Sequence, residues 1–298
     1  DRVELFGYYE GAKGVSGDYF DYIEYAPDRF AAIKCDVAGK GIPASLIMVE
    51  VATVFHNFFN DFMENEERRK QIAASKKQKY SPQDPDIRKL ILGINRLVQE
   101  RGFEGKFAAL VVALVNAQTG ATVFSNAGDS LVHIYNSGEG RMETKELKKA
   151  PAAGVFDNDM VEQTGGFPKE PHMLKNGDII LLYTDGIEEA KRNFRNENFE
   201  KITCQEPGLG ENEEHGGTHL VGADNEEFTN GRIYDIVNAV LSRSTYRLYK
   251  YHNPLGEEDL EFDFSECEGT IEDAVIALIS VEQIFRIYPH PEAGERDL

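Results

Sequence analysis

The chain has 298 residues, enough for one large domain or two small ones with a proper core. Its 52 acidic against 32 basic residues leave a net charge of −20, which argues against nucleic acid as a partner, because a phosphate backbone needs basic surface. Three scattered cysteines, Cys35, Cys204 and Cys267, make no disulfide framework, and no signal peptide or membrane-length apolar run is read, so a reducing, cytoplasmic setting without membrane insertion is expected.

In chain order, Glu4 to Glu10 is rich in aromatic residues and reads as a first strand. Tyr19 to Tyr25 partly alternates apolar and polar residues, Ala26-Pro27-Asp28-Arg29 makes a turn, and Phe30 to Cys35 is the next strand. Two strands on a short turn form an antiparallel hairpin, which sets Asp18 and Asp36 at the same end. Two carboxylates at close range repel by about 4 kcal/mol at an effective dielectric near 20, so they call for a positive partner, a hard divalent cation for instance. Turn-capping aspartates are the alternative reading of the residues alone.

The turn Ala38-Gly39-Lys40-Gly41 leads to Pro43, which suits the first turn of a helix. From Ala44 to Phe59 that helix is apolar almost all round, so one side is expected on the sheet and the other at a dimer or regulatory contact. Residues 61–85 are charged and read as a surface loop or a frayed extension of the helix. Asp86 can cap a second helix, with Ile87, Leu90, Ile91, Ile94, Leu97 and Val98 at helical spacing.

Phe107 to Asn116 reads as a central strand, followed by a tight turn at Gly120, the strand ATVFSNAG and another from Leu131 to Tyr135. Arg141 to Pro171 reads as irregular, and IILLYTD as a buried strand that ends at Asp185. Residues of about 195–231 are polar and acidic and look like an insertion; about 253–268 form a second acidic loop. Ile233 to Tyr249 reads as a helix and Ala274 to Val281 as the last strand. Strands in runs with a few helices suit an α+β layered domain over residues 1–298, with no internal repeat.

The stretches SGDYFDY, CDVAGKGIPASLIM, NAGDS and LLYTDGIEEA, taken together, resemble the SpoIIE/RsbU branch of the PPM family, the metal-dependent serine/threonine protein phosphatases. The resemblance implies a four-layer αββα sandwich, two antiparallel sheets flanked by helices, with metals at one end. It implies two Mn²⁺ or Mg²⁺ ions held by Asp18, Asp36, the Val37 carbonyl, Asp185 and a final carboxylate before the last strand. Gap-free matching puts Glu272 where that branch has aspartate, so Glu272 and Asp273 both stand as candidates.

Asp129 occupies a place where RsbU-like members have histidine and other PPM phosphatases use aspartate for a third metal; Glu189 and Asp185 would complete such a site. Without the resemblance Asp129 is a hairpin-turn residue and Glu189 a first-turn helix carboxylate favoured by the dipole. Lys13, near where several PPM phosphatases carry a phosphate-binding arginine, and Lys40, in the turn beside Asp36, are candidates for holding substrate phosphate as point charges. Ala38 stands where some members have a histidine general acid. Cys35 lies in an apolar strand and reads as core.

The implied reaction is hydrolysis of phosphoserine or phosphothreonine on a signalling protein by direct attack of a water shared by two metals. The branch further suggests a STAS-domain regulator of the anti-anti-sigma kind as substrate and a place at the C-terminal end of a larger, membrane-anchored sensor, while the excess apolar surface of the helix 44–59 suggests a homodimer through it. Two other classes stay open, a nucleotide cyclase and a non-catalytic module that binds a partner.

Overall fold

The computed structural model describes residues 3–11, 15–101, 105–191, 227–248 and 260–287. The chain divides into two compact units, the first holding Tyr9–Ile134 and Thr144–Leu182, the second Tyr135–Glu143 and the chain from Tyr183 onward. The elements in order are β1 (Tyr19–Ala26), β2 (Arg29–Val37), α1 (Ile42–Ser75), α2 (Ile87–Arg101), β3 (Ala108–Asn116), β4 (Ala121–Ala127), β5 (Leu131–Asn136) and β6 (Arg141–Glu146). There follow α3 (Asn158–Gln163), β7 (Glu170–Met173), β8 (Ile179–Leu181), α4 (Asp185–Glu188), α5 (Thr229–Leu241), β9 (Thr245–Leu248), β10 (Leu260–Asp263) and α6 (Ile271–Ile287).

The first unit is built on an antiparallel sheet of order β1-β2-β3-β4-β7. Strand β3 is apolar on both faces because both are covered. Leu110, Val112 and Leu114 join the cluster that holds Ile47, Val51, Phe55 and Phe59 of α1 and Leu90, Ile91 and Ile94 of α2. Val111 and Ala113 face the other way, into a cluster with Phe124, Val132, Ile134 and Leu147. A three-stranded sheet of order β6-β5-β8 supplies that second side. The antiparallel α+β class expected from the sequence is what the chain adopts.

Helix α1 runs well past the expected Phe59. Its buried stripe is Ala44, Ile47, Val51, Phe55 and Phe59, the spacing of one helical face, and its opposite side leaves Ile42, Leu46 and Val49 exposed. The charged continuation stays helical because its residues pair along the axis, Arg68 with Glu64 at 3.5 Å, Lys70 with Glu67 at 3.8 Å, and Arg69 with Glu66. By length and composition α1 also passes as a membrane span, which the sequence reading did not credit; its stripe nevertheless lies in the core of the first unit.

In the second unit α5 and α6 pack on each other, with Phe228 and Phe285 edge to face at 5.2 Å between ring centres. The Arg232 guanidinium is buried over the Phe285 ring, 4.9 Å from its centre, and donates to the Glu227 and Phe228 carbonyls.

Three expectations are corrected. Residues 4–10 form no strand, and Leu5, Phe6, Tyr8 and Tyr9 are exposed. The helix expected from Ile233 to Tyr249 stops at Leu241, where Arg243 takes φ 53°, and the chain then enters the hairpin β9–β10. Ala274 to Val281 is not a strand but part of α6. Its buried residues Ala274, Ala277, Leu278, Val281 and Phe285 repeat at helical spacing, and Thr270 opens it with a reciprocal cap. The insertion at about 195–231 lies outside the described residues up to 226, and of the loop at about 253–268 the described residues 260–268 hold β10 and the turn after it.

Candidate functional site

The β1–β2 hairpin sets the first two carboxylates. Tyr19 pairs with Cys35, so one further step of the register brings Asp18 level with Asp36. Level residues of an antiparallel pair present their side chains on one face of the sheet. Asp18 lies just ahead of β1, its amide held by Ser16 Oγ at 3.1 Å; Asp36 is the penultimate residue of β2, and both are part-buried.

Gly17 lets the two segments close up. A Cβ there would come within 2.7 Å of the Val37 carbonyl oxygen and 3.1 Å of Ala44 Cβ, so only hydrogen fits. The carbonyl expected to coordinate thus lies against the residue that precedes Asp18. Between them, fully buried Cys35 is pushed well above the usual thiol range by burial, with Asp36 and Asp18 adding to it. It stays protonated and acts as core, as its apolar strand suggested.

The turn after β2 holds a cation that the sequence reading missed. A Cβ on Gly39, which has φ 99°, would meet Lys106 Nζ at 1.8 Å, so the ammonium rests on that glycine. The pairing of Val37 with Ala108 and the bond from Ala38 N to the Phe107 carbonyl, 2.8 Å, bring Lys106 there. Its sequence signal was the strand Phe107 to Asn116, whose partner strand ends at Asp36. Lys40 itself is exposed, and Lys13 lies outside the described residues.

A second missed cation lies behind the pair. Lys34 shares the face of Asp36, two residues along β2, and is only 7% exposed. It forms an ion pair with Asp129. His133, on β5, is buried beside them, and burial together with the Lys34 ammonium lowers its pKa from 6.5 to about 4, against an opposing pull from Asp129. Asn126 is wholly buried one pairing step from Val111, the residue opposite Lys34; its amide nitrogen and oxygen have no hydrogen-bond partner among the described residues. These four side chains make a polar layer within an apolar inter-sheet core.

The remaining candidates lie in the second unit. Asp185 does not end a strand: β8 stops at Leu181, and Asp185 is the first residue of the one-turn helix α4. Its carbonyl accepts from the Glu189 amide at 2.8 Å, and both side chains are exposed. Asp273 accepts from Thr270 N at 3.0 Å while its own amide donates to Thr270 Oγ1 at 3.1 Å. The bond from the Thr270 amide holds the Asp273 carboxyl below the usual range. Glu272 beside it is exposed. Among the described residues no three of His, Cys, Asp and Glu stand close enough to hold a metal ion between them. The hairpin therefore supplies an oxygen-only donor set, two carboxylates and a carbonyl, of the kind that hard cations such as Mg²⁺ and Mn²⁺ accept.

Comparison with known proteins places the chain in a family. The family described as Stage II sporulation protein E (SpoIIE) matches residues 26–207. The chain belongs to the SpoIIE family. Asp36, Asp129, Asp185 and Glu189 fall within the matched stretch; Asp18 precedes it and Glu272 and Asp273 follow it. SpoIIE-family domains are PP2C-type serine/threonine protein phosphatases.

Protein IcfG of Synechocystis is 25% identical over 192 residues, which cover 61% of this chain and 28% of IcfG. The SiaA-PP2C domain of Pseudomonas aeruginosa overlaps with a TM-score of 0.50 at 15% identity, covering 96% of this chain and 78% of that one, and supports the fold. The structure of the RsbU and RsbW domains of Rv1364c from Mycobacterium tuberculosis gives a TM-score of 0.43 at 23% identity, over 60% of this chain and 42% of that one. The SpoIIE-family chain thus spans about a quarter of IcfG.

Proposed function

We propose that this chain is a metal-dependent phosphoprotein phosphatase that removes phosphate from serine or threonine on a signalling protein. The observation that carries the reading is the register of β1 on β2, which levels Asp18 with Asp36 beside the Val37 carbonyl. These donors, with Asp185 and either Glu272 or Asp273, would hold two Mn²⁺ or Mg²⁺ ions. When bound, such ions supply a water acidic enough to attack phosphorus at neutral pH and offset the charge of the phosphoryl oxygens.

The chain's own part is to fix the donors and place the substrate. The backbone of Asp36 is held by its pairing with Ala109 of β3, one residue beyond the last β1 pair, Tyr19 with Cys35. Lys40 and Lys106 flank the turn that follows and would attract a phosphate group, with Lys13 as a further candidate. With Ala38 in the turn, the leaving alkoxide takes its proton from water. The resemblance to the branch favours a STAS-domain regulator as the phosphoprotein and a cytoplasmic setting.

Asp18→Ala and Asp36→Ala are expected to abolish Mn²⁺-dependent hydrolysis of p-nitrophenyl phosphate with unchanged circular dichroism, since the attacking water depends on the metals these carboxylates would hold. Near-normal turnover in a folded variant sinks the assignment. Helix α1 offers Ile42, Leu46 and Val49 to a second copy. Val49→Glu should shift the elution volume on size exclusion, and an unchanged volume with unchanged activity removes the dimer.

The engagement of Asp273 in a helix cap specifically favours a second reading, a phosphatase-like module that binds a partner without turning over. Folded, Mn²⁺-loaded protein with no hydrolysis of a generic phosphate ester would select it.

A further inference from the structure

We propose that Lys34 supplies, from within the chain, the positive charge at Asp129 that a third metal ion would otherwise bring, so that Asp129 is a counterion and not a metal ligand. The inference rests on the phosphatase reading for what surrounds the pair, and on the structure for the pair itself. Asp129 was a candidate ligand together with Asp185 and Glu189. Its carboxylate instead forms an ion pair with an ammonium that is 7% exposed.

A lysine so far from water depends on its anion, because turning Asp129 toward a cation would strand the ammonium among buried side chains. Water reaches the pair only at Asp129, whose side chain is 20% exposed, while Lys34, His133 and Asn126 are all buried, so no solvent shell replaces the carboxylate around the ammonium. A divalent ion set against Asp129 would also face the ammonium directly, and like charges at that range repel. The same ammonium stands two residues from Asp36 on the same face of β2, so the neutralised pair lies directly behind the two carboxylates. The lysine and the aspartate belong together as one charge-neutral unit, and Lys34 is a positioning residue for the acidic end of the sheet.

Manganese stoichiometry by equilibrium dialysis, with the full chain, tests the idea without reference to turnover. Wild type should bind two Mn²⁺, and Asp129→Asn should still bind two, with a Kd within about twofold of wild type. Three ions in wild type and two in Asp129→Asn overturn the inference.

A thermal double-mutant cycle over Lys34→Met and Asp129→Leu covers folding effects and needs no metal. Each single change should lower Tm strongly, and the double variant should recover most of the loss. Strictly additive losses overturn the pairing. A wild type that binds no Mn²⁺ sinks the phosphatase reading instead, and the cycle still decides whether Lys34 and Asp129 act as a unit.

Discussion

Asp18 and Asp36 hold their places through a β ladder, whereas Asp185, Glu272 and Asp273 hold theirs through helix ends. In the hairpin the backbone of β2 is paired with a strand on either side and that of β1 with β2, so the ladder is closed by main-chain groups and not by the two carboxylates. At the start of α6 the opposite holds: the Asp273 carboxylate is itself part of the backbone accounting, since it satisfies an amide that the helix leaves open. The ladder itself asks nothing of the side chain of an acidic residue that ends a strand. One that opens a helix already has structural work, and a metal would have to compete for it.

The sharpest way to break this contrast is at Gly17. Gly17→Val pushes a side chain against the Val37 carbonyl, a backbone atom that cannot rotate away. The expected cost is up to about 3 kcal/mol of stability, with at least about a tenfold loss of activity as the donors separate. Chemical denaturation and ester hydrolysis measure the two together, and a neutral outcome in both would mean that the close approach does not position the site.

Next comes His133, which probes the polar layer behind the hairpin. Its folded pKa is depressed from 6.5 to about 4, so the unfolded chain binds more protons between those values. The stability linked to His133 is complete above pH 6.5 and is lost as pH falls toward 4, about 2 kcal/mol of it by pH 5. His133→Leu should flatten that part of the pH–stability curve, and an unchanged slope would show that His133 is not buried neutral.

The smallest effect is expected at α6. Thr270→Ala removes one half of the cap and should cost about 1 kcal/mol, while Mn²⁺ affinity stays put. The more telling variant is Asp273→Asn: a loss of Mn²⁺ affinity would assign Asp273 to the metal, and an unchanged affinity would leave Glu272 as the candidate.

What the sequence disclosed and what it hid follow the same division. The hairpin was legible because its signals are local: a turn at Ala26-Pro27-Asp28-Arg29, two short strands, and an aspartate just before the first strand and another after the second. The central strand Phe107 to Asn116 was legible because few other elements are apolar on both faces. Helix α6 was misread because AVIALISV fits a buried strand and a buried helix equally well. The deciding signal, threonine three residues before aspartate ahead of an apolar run, was in plain view. Lys34 was passed over because a lysine in a strand ordinarily marks a wet face. Its burial depends on Asp129, on another strand connection far along the chain, and no local pattern records that.

The order of the strands carries a mechanical consequence. Strand β1 is the rim of the five-stranded sheet, bonded on one side only, while β2 is gripped from both. The two aspartates are therefore not equally anchored. A tug or a push arriving at the rim displaces Asp18 relative to Asp36, and the gap between them changes with the tightness of a single row of hydrogen bonds.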